Sequence, residues 1–342
     1  YLQASSLIQR ATAENLRTAQ ELLRQATTRD PRFARAYAAL GSSHLTAVWT
    51  ALTPDADALT KAEEAGRRAL SLDPDQQVAR VVLAQVHTVR GDWLSAHKDF
   101  QTALSLSDAN PQLHGWYGVF LMTVGHLNEA LRETRKADRL APGIAIQKNQ
   151  LGVILSLIGS DTEALSHMEQ AVNLGIASDT LPQPLVRSHA AFRRGDVRKA
   201  AALMTLALPE RVCQAGGAKT VELIYSALVD SSRKADAIDG LRELRANAPG
   251  MDTSLMMILA IQWYTTLGAL DDAYEAAGEA LDARSSGDIG AIWGPLWLPE
   301  LRPFRQDPRF QDVCARMNFF EYWNQHGAPD NHELRAGNLI CH

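Results

Sequence analysis

Four alanines recur at one interval: Ala62, Ala96, Ala130 and Ala164 are each 34 residues apart, and Ala69, Ala103, Ala137 and Ala171 keep the same step. Gly91, Gly125 and Gly159 repeat it, as do Ala84, Gly118 and Gly152. A fixed period of this length describes one supersecondary unit, repeated, each copy burying its apolar face only against the next. The residue types specify two helices per unit. A small residue such as Gly118 or Gly152 lets the first helix approach its partner closely, and Gly91, Gly125 or Gly159 ends it, because glycine tolerates the left-handed backbone of a helix C-cap. A polar residue then opens the second helix. Ala62, Gly66 and Ala69, like Ala96, Phe100 and Ala103 and like Ala164, Met168 and Ala171, share one face of it through steps of four and three. Asp73-Pro74 and Ala141-Pro142 stop it, since proline lacks the N–H and holds its predecessor out of the helical region.

The period is that of the tetratricopeptide repeat, and the expected fold is an all-α, right-handed superhelical solenoid. Ala19, Leu23, Ala26 and Pro31 extend the pattern toward the N-terminus, and Ala237, Leu241, Leu244 and Pro249 extend it toward the C-terminus. Weaker units surround Gly195 and Gly268, making about eight. An insertion near 49–57, from Trp49 to Asp57, is expected to lengthen a first helix or its turn and to protrude. Pro182 to Pro184 and the Cys213 to Lys219 stretch mark expected bends. The organisation read from this is regular repeats over 1–180, divergent repeats over 181–289, and a Trp- and Pro-rich cap with a tail over 290–342.

Composition removes several functions. Lys plus Arg (34) minus Asp plus Glu (39) gives a net charge of −5. No stretch gathers five basic residues, whereas a nucleic-acid footprint needs a clustered cationic face. The longest apolar run, Leu255 to Ile261, falls far short of the roughly 18 residues that span a bilayer, so no membrane insertion is expected. Cys213, Cys314 and Cys341 are scattered, neither a disulfide framework nor a zinc set, although counting alone leaves a Cys314–Cys341 pair open. This usage leans to a cytoplasmic location, with a periplasmic one as the alternative. The chain also lacks a Gly-x-Ser-x-Gly elbow, a Walker-type loop and a His-Glu-x-x-His motif. Glu63-Glu64 and Asp271-Asp272 fall at or near helix starts, where negative charge complements the macrodipole. No cofactor and no catalysis are expected. The first residue is Tyr1 rather than Met, the expectation for a fragment or processed product.

Leu106 to Gly175, reading LSDANPQLHGWYGVFLMTVGHLNEALRETRKADRLAPG and continuing into NQLGVILSLIGSDTEALSHMEQAVNLG, resembles the tetratricopeptide region of a bacterial group. That group contains winged-helix transcriptional regulators of the CadC-like kind and class III adenylate or guanylate cyclases. The opening YLQASSLIQRATAENLRTAQELLRQATTRDPRFARAYAALG and the tail WGPLWLPELRPFRQDPRFQDVCARMNFFEYWNQHGAPD resemble its entry segment and terminal cap. The resemblance implies a DNA-binding or cyclase domain elsewhere and a sensing or recruiting role for this part. No catalytic or DNA-reading motif of those families appears here, so none of their functional residues carries over.

In such a solenoid the first helices line a groove that takes extended peptides or partner helices. By phase, the groove positions are Arg35 and Ser42, Gln85 and Thr88, Gly115 and Val119, Asn149 and Ser156, His189 and Arg193, Glu222 and Asp230, and Gln262 and Thr266. Arg35, Gln85, Asn149, His189, Arg193 and Gln262 are the candidate binding residues. Asn149, His189 and Arg193 come nearest to a carboxylate-holding cluster. The expected partner is a protein or peptide, with a second copy of the chain (a homodimer) as another possibility. Most tryptophans fall at packing phases. The Trp293 to Phe310 run, with Pro295, Pro299 and Pro303, cannot be a regular helix and is expected to fold over the last repeat; a partner-docking surface, a small-molecule site or a cryptic enzymatic activity in this Trp-rich region is the alternative, and a free-standing scaffold or adaptor is a third reading. His326, Asp330, His332 and Glu333 with Cys341 and His342 are metal-ligand types without a metal-site spacing, and are read as a flexible polar tail.

Overall fold

The computed structural model describes residues 1–10, 12–50, 57–179, 181–248, 250, 254–285, 294–335 and 337–342. Twenty α-helices and one two-stranded hairpin are found among them. Sixteen of the helices form eight consecutive pairs with the repeat's helix–turn–helix pattern, and the chain is an all-α tetratricopeptide superhelix. It divides into two compact units, 1–120 and 121–342.

The first unit contains α1 (Leu2–Arg10), α2 (Ala13–Arg29), α3 (Ala34–Thr50), α4 (Ala58–Leu72), α5 (Gln77–Arg90) and α6 (Trp93–Leu106), and it ends within α7 (Pro111–Thr123). Its core follows the period. Ala4, Ala19, Leu23, Ala36 and Ala39 form one cluster, Ala38, Ala69 and Ala79 a second, and Leu45, Ala62, Val82 and Val86 a third. A β-carbon on Gly41 would stand 3.1 Å from the carbonyl oxygen of Ala62, so a larger residue there would press against α4. The helix α3 runs to Thr50, longer than most first helices; the inserted residues 51–56 lie outside the described residues.

The second unit contains α8 (Leu127–Leu140), α9 (Ala145–Leu157), α10 (Asp161–Asn173), α11 (Gln183–Arg193), α12 (Val197–Leu206), α13 (Glu210–Gln214), α14 (Gly217–Ala227), α15 (Lys234–Asn247), α16 (Ser254–Leu267) and α17 (Leu270–Ser285). The expected interruption near Cys213 is a physical insertion: the five-residue α13 stands between two helix pairs, and Gly216 at φ 98° starts the next. Leu151, Leu155, Ala164, Met168 and Val186 make a core of the kind seen in the first unit.

The turns follow the C-cap argument. At Gly91 the backbone is left-handed (φ 72°), and Asp92 N–H returns to His87 O at 2.9 Å; at Gly159 (φ 79°) Ser160 N–H returns to Leu155 O at 2.8 Å. Asp92 and Asp196 cap the helices that follow by accepting from Ser95 N–H and Lys199 N–H, each at 3.1 Å. The pair Glu63-Glu64 needs a correction. The first turn of α4 has no acidic residue, and Glu63 instead pairs with Arg67 and Arg90.

Beyond α17 the prolines do what their chemistry dictates. Two 3-10 turns, Gly294–Trp297 and Pro299–Leu301, lead into α18 (Arg302–Gln306), α19 (Phe310–Arg316) and α20 (Phe319–His326). The second turn packs on α16, the first helix of the last repeat. The tail is not the flexible segment its polarity suggests. Strands β1 (His332–Arg335) and β2 (Asn338–Cys341) pair antiparallel with Leu334 opposite Leu339, and the Gln311 carboxamide pairs with both the N–H (2.9 Å) and C=O (2.7 Å) of Leu339.

Candidate functional site

In the second unit the face built from the first helices is covered by the chain's own C-terminal segment. Arg193, at the end of α11, reaches α9, α10 and the cap at once. Its Nε and Nη2 donate to the two oxygens of Glu300 at 2.6 and 3.0 Å, and its Nη1 donates to Asp161 Oδ1 at 2.6 Å and to Ser156 O at 2.9 Å. Such a two-point guanidinium–carboxylate fork is directional and strong. Burial pushes Glu300 up, but the bonds and charge of Arg193 outweigh it, and the carboxyl lies below its ordinary value. His189 hydrogen-bonds Gln262 at 2.9 Å, and Asn149 accepts from Gln183 Nε2 at 2.9 Å. Asn149, His189 and Gln262 are only 5%, 8% and 5% exposed. These four sequence candidates are therefore engaged inside the chain, and Glu300 is the carboxylate that Arg193 holds.

Burial is the largest influence on His189 and moves its imidazole below the ordinary 6.5; Glu300, Gln262 and Asp161 pull it up and Arg193 pushes it down. A lowered histidine pKa means the unfolded chain binds the proton more readily, so the contribution is complete above pH 6.5 and is lost as pH falls below it. We expect the stability of a His189→Gln variant to fall less steeply than wild type between pH 6.5 and the acid side, as read by urea unfolding at a series of pH values. Some slope will remain from His326 and His332, which burial also lowers. An unchanged slope would remove His189 from this role.

The cap also grips one inter-helix turn of the second unit. Trp297 Nε1 donates to Thr123 O at 3.1 Å and Trp323 Nε1 donates to Val124 O at 2.9 Å, so two indoles satisfy carbonyls that the end of α7 leaves open. On the other side of the turn, Asn128 N–H donates to Asp330 Oδ2 at 2.6 Å, Asp330 N–H donates to Gly125 O at 3.0 Å, and His126 Nε2 hydrogen-bonds Gly327 O at 3.0 Å. Asp330 thus caps α8 from 202 residues away. The N-cap position of α8 is His126, whose side chain makes no capping bond, whereas Asp92 and Asp196 cap their own helices. Ser160, the N-cap of α10, also makes no side-chain capping bond, so a missing cap does not by itself mark this turn in the sequence. We expect Asp330→Ala to cost about 1 kcal/mol, with Asp330→Asn recovering most of it, measured by denaturant unfolding; equal losses in both would show that the carboxamide cannot replace the cap.

Gly125 fits this contact in two ways. Its φ is 85°, and a β-carbon there would lie 2.5 Å from Pro329 Cβ and 2.7 Å from Trp297 Cζ2. At the equivalent Gly159 and Gly195 an added β-carbon meets nothing within 4 Å. We expect Gly125→Ala to destabilise the protein more than Gly159→Ala, since both share the backbone strain and only the first also displaces the cap. Matching melting temperatures would contradict this.

In the first unit the candidate residues differ in exposure. Arg35 is exposed at the start of α3, and Gln85, on α5, lines a shallow notch with Ser42, Val78, Val81, Gln112 and Trp116. Gln85 is 3% exposed, and its Oε1 has no hydrogen-bond donor. In the second unit a wider, open cleft of about 360 Å³ lies between the 305–311 segment and β2. Of the polar groups there, Asp307 pairs with Arg309, Arg305 donates to Leu298 O while its buried Nε has no partner, and Gln311 holds Leu339.

Two reactive groups are quiet. Burial pushes the Tyr225 phenol up to about 12 and the Cys314 thiol well above its usual value, so both stay protonated at neutral pH. All three cysteines are free. Among the described residues, no three of His, Cys, Asp and Glu gather as a metal set, and no helix is long and apolar enough to cross a membrane. Trp93, Trp263, Trp297 and Trp323 are buried and Trp116 is partly exposed; the Trp49 side chain and Trp293 lie outside what is described.

No family model matches the chain. The transcriptional regulator HilA of Salmonella typhimurium is 26% identical over 142 residues, which are 42% of this chain and 26% of that protein, so the chain spans about a quarter of the length of the curated relatives it matches. Among solved structures, the human IFIT1 dimer with m7Gppp-AAAA gives a TM-score of 0.51 at 18% identity, covering 79% of this chain and 68% of that one. The APC/C hetero-tetramer Cut9–Hcn1 gives 0.47 at 16% identity, covering 84% and 46%. At these identities the likeness is one of fold.

Proposed function

We propose that the chain is a non-catalytic protein–protein interaction and signal-input module of a larger bacterial regulatory protein, a transcriptional regulator or a cyclase, and that it takes a protein or peptide on the first-helix face of its first unit. The carrying observation is a difference between the units. In the second unit the candidate residues bond to one another and to the cap, whereas in the first unit Arg35 and Gln112 are exposed and the buried Gln85 Oε1 has no hydrogen-bond partner. Arg35 lies on the first helix of that face. The regulatory context is supported by the partial similarity to HilA and by the family resemblance of the Leu106 to Gly175 repeats. Free thiols accord with a cytoplasmic setting.

Partner engagement would act on output by favouring one arrangement of the attached domain, and only to the extent that the partner binds that arrangement more tightly. The test is photo-crosslinking in cells that make the complete protein, with benzoylphenylalanine at Gln112 in the notch and at Glu64, an exposed position on a second helix. A defined adduct from Gln112 alone, together with altered output when Gln112 is replaced by a bulky side chain, supports the proposal. Equal adducts from both positions, or none from Gln112, would end it.

A further inference from the structure

The C-terminal hairpin places a thiol, an imidazole and a guanidinium together. His332 stands opposite Cys341 in its register, and Leu334 stands opposite Leu339. Residues facing each other across antiparallel strands project to one side of the sheet, and their neighbours along the strand project to the other. Leu339 is buried and Ile340 is exposed, so His332 and Cys341 share the side turned toward the cap. There Arg305, from α18, hydrogen-bonds the Cys341 side chain, and its charge also acts on His332. Arg305 is itself held firmly: Nη1 donates to Leu296 O and Leu298 O, and the guanidinium lies 5.9 Å from the Trp297 ring centre.

The proton on His332 is fixed by its partner. Nδ1 lies 2.7 Å from the Asp330 carbonyl oxygen, which can only accept, so Nδ1 carries the hydrogen. Burial moves this imidazole below its ordinary 6.5, so it is neutral at pH 7 and Nε2 is a bare lone pair. Nε2 is buried and has no hydrogen-bond partner. A thiol beside a base that a third group orients, with a cation at the sulfur, is the arrangement that activates a sulfur nucleophile.

The other two cysteines lack these neighbours. Cys213 is partly exposed, as Cys341 is, but the charge beside it is Glu210, and burial together with that carboxylate pushes its thiol up. Cys314 is fully buried. Cys341 also has room in front of it. With Arg305 it lines the open cleft of about 360 Å³ between the 305–311 segment and β2, within the size range of small-molecule sites.

We propose that Cys341 is a site of thiol–disulfide exchange with a low-molecular-weight disulfide, with His332 as the base and Arg305 as the cation beside the sulfur. The thiol, which faces His342 O at 3.9 Å in the resting structure, turns to His332 Nε2 and gives up its proton there. The Cys341 sulfur then attacks one sulfur of the small disulfide, whose S–S bond breaks, and the departing thiolate takes the proton from His332. Cys341 is oxidised to a mixed disulfide, and the released half of the reagent is reduced to a thiol. The proposal is independent of the reading of the first unit as the partner face.

The test incubates the reduced full chain with oxidised glutathione at pH 7 and follows each cysteine by mass spectrometry of its own proteolytic peptide. The same reaction in urea gives the rate of each thiol stripped of its surroundings. Cys341 is expected to react about tenfold or more faster in the folded chain than in the unfolded one, the effect of a positioned base. Cys213 should slow on folding and Cys314 should stop reacting. His332→Gln should bring the folded Cys341 rate down by about tenfold or more. A folded Cys341 rate no higher than the unfolded one, a Cys213 adduct that forms as fast, or a wild-type rate in His332→Gln would overturn the proposal. If His332→Gln does not fold, as judged by circular dichroism, the folded-to-unfolded ratio of wild type decides alone.

Discussion

Trp297→Ala is expected to lower the unfolding free energy by about 3–5 kcal/mol, the cost of truncating a large buried aromatic. Trp297 is 5% exposed and lies 6.2 Å from Trp323, 6.4 Å from Phe310 and 6.5 Å from Phe319, ring centre to ring centre. Truncation also leaves Thr123 O without its indole donor. The loss therefore combines a cavity with a lost buried hydrogen bond, each a recognised source of destabilisation. Trp297→Phe separates them, because it keeps most of the apolar volume and removes only the N–H; its cost should be nearer 1 kcal/mol. Urea unfolding gives the magnitudes. Hydrogen exchange at the Asn128 amide reports directly on the cap, since that N–H is bonded to Asp330. Loss of its protection in Trp297→Ala is the expected local signature. A cost below about 1 kcal/mol for the alanine variant would mean that the cap rests on the repeats without supporting them.

The second large effect is expected from Arg193→Met. Its side chain is 17% exposed, and those of its partners Asp161 and Glu300 are 14% and 10% exposed, so the variant leaves two nearly buried carboxylates without their cation. Breaking a buried pair from one side typically costs about 3–5 kcal/mol. The pH dependence carries more information than the magnitude. In wild type the Glu300 carboxyl is below its ordinary 4.5, so its contribution is complete above pH 4.5 and is lost as pH falls through the lower folded value. Without Arg193, burial is the largest influence left on Glu300, opposed by His189 and a backbone hydrogen bond, and we expect the sign to reverse: the variant loses stability as pH rises through 4.5. The gap between wild type and Arg193→Met should therefore widen from pH 4 toward pH 7. Adding Glu300→Gln to the variant should recover part of the loss at neutral pH and little at pH 4, where the raised Glu300 carboxyl of Arg193→Met is already protonated. A gap independent of pH would show that Arg193 acts through packing alone.

Much of the fold was legible because it is periodic. The 34-residue spacing of Ala62, Ala96, Ala130 and Ala164 placed a buried alanine in each second helix, and all four are 0% exposed. Gly91, Gly125 and Gly159 are left-handed turn residues, as the C-cap argument required. Helical phase also put Asn149, His189, Arg193 and Gln262 on the first-helix face of their repeats. What phase cannot convey is what lies over a face. The cap is aperiodic, and its grip on Thr123 to Asn128 joins residues up to 202 positions apart, a pairing that no local spacing encodes. The polar tail misled for a related reason: composition reports that His332, Glu333 and Asn338 tolerate water, not that a hairpin can bury Leu339 between them and Gln311. The first-helix face of the first unit was half legible. Gln85 was singled out by phase, but the missing donor at its oxygen depends on three helices meeting.

The most direct test of the account is hydrogen–deuterium exchange of the full chain with and without the partner identified by crosslinking at Gln112. The account predicts slowed exchange in α5 (Gln77–Arg90) and in residues 111–120, with α11 (Gln183–Arg193) and α16 (Ser254–Leu267) unchanged under their cap. Slowed exchange in α11 and α16, with none in α5, would contradict it and make the second unit the partner face.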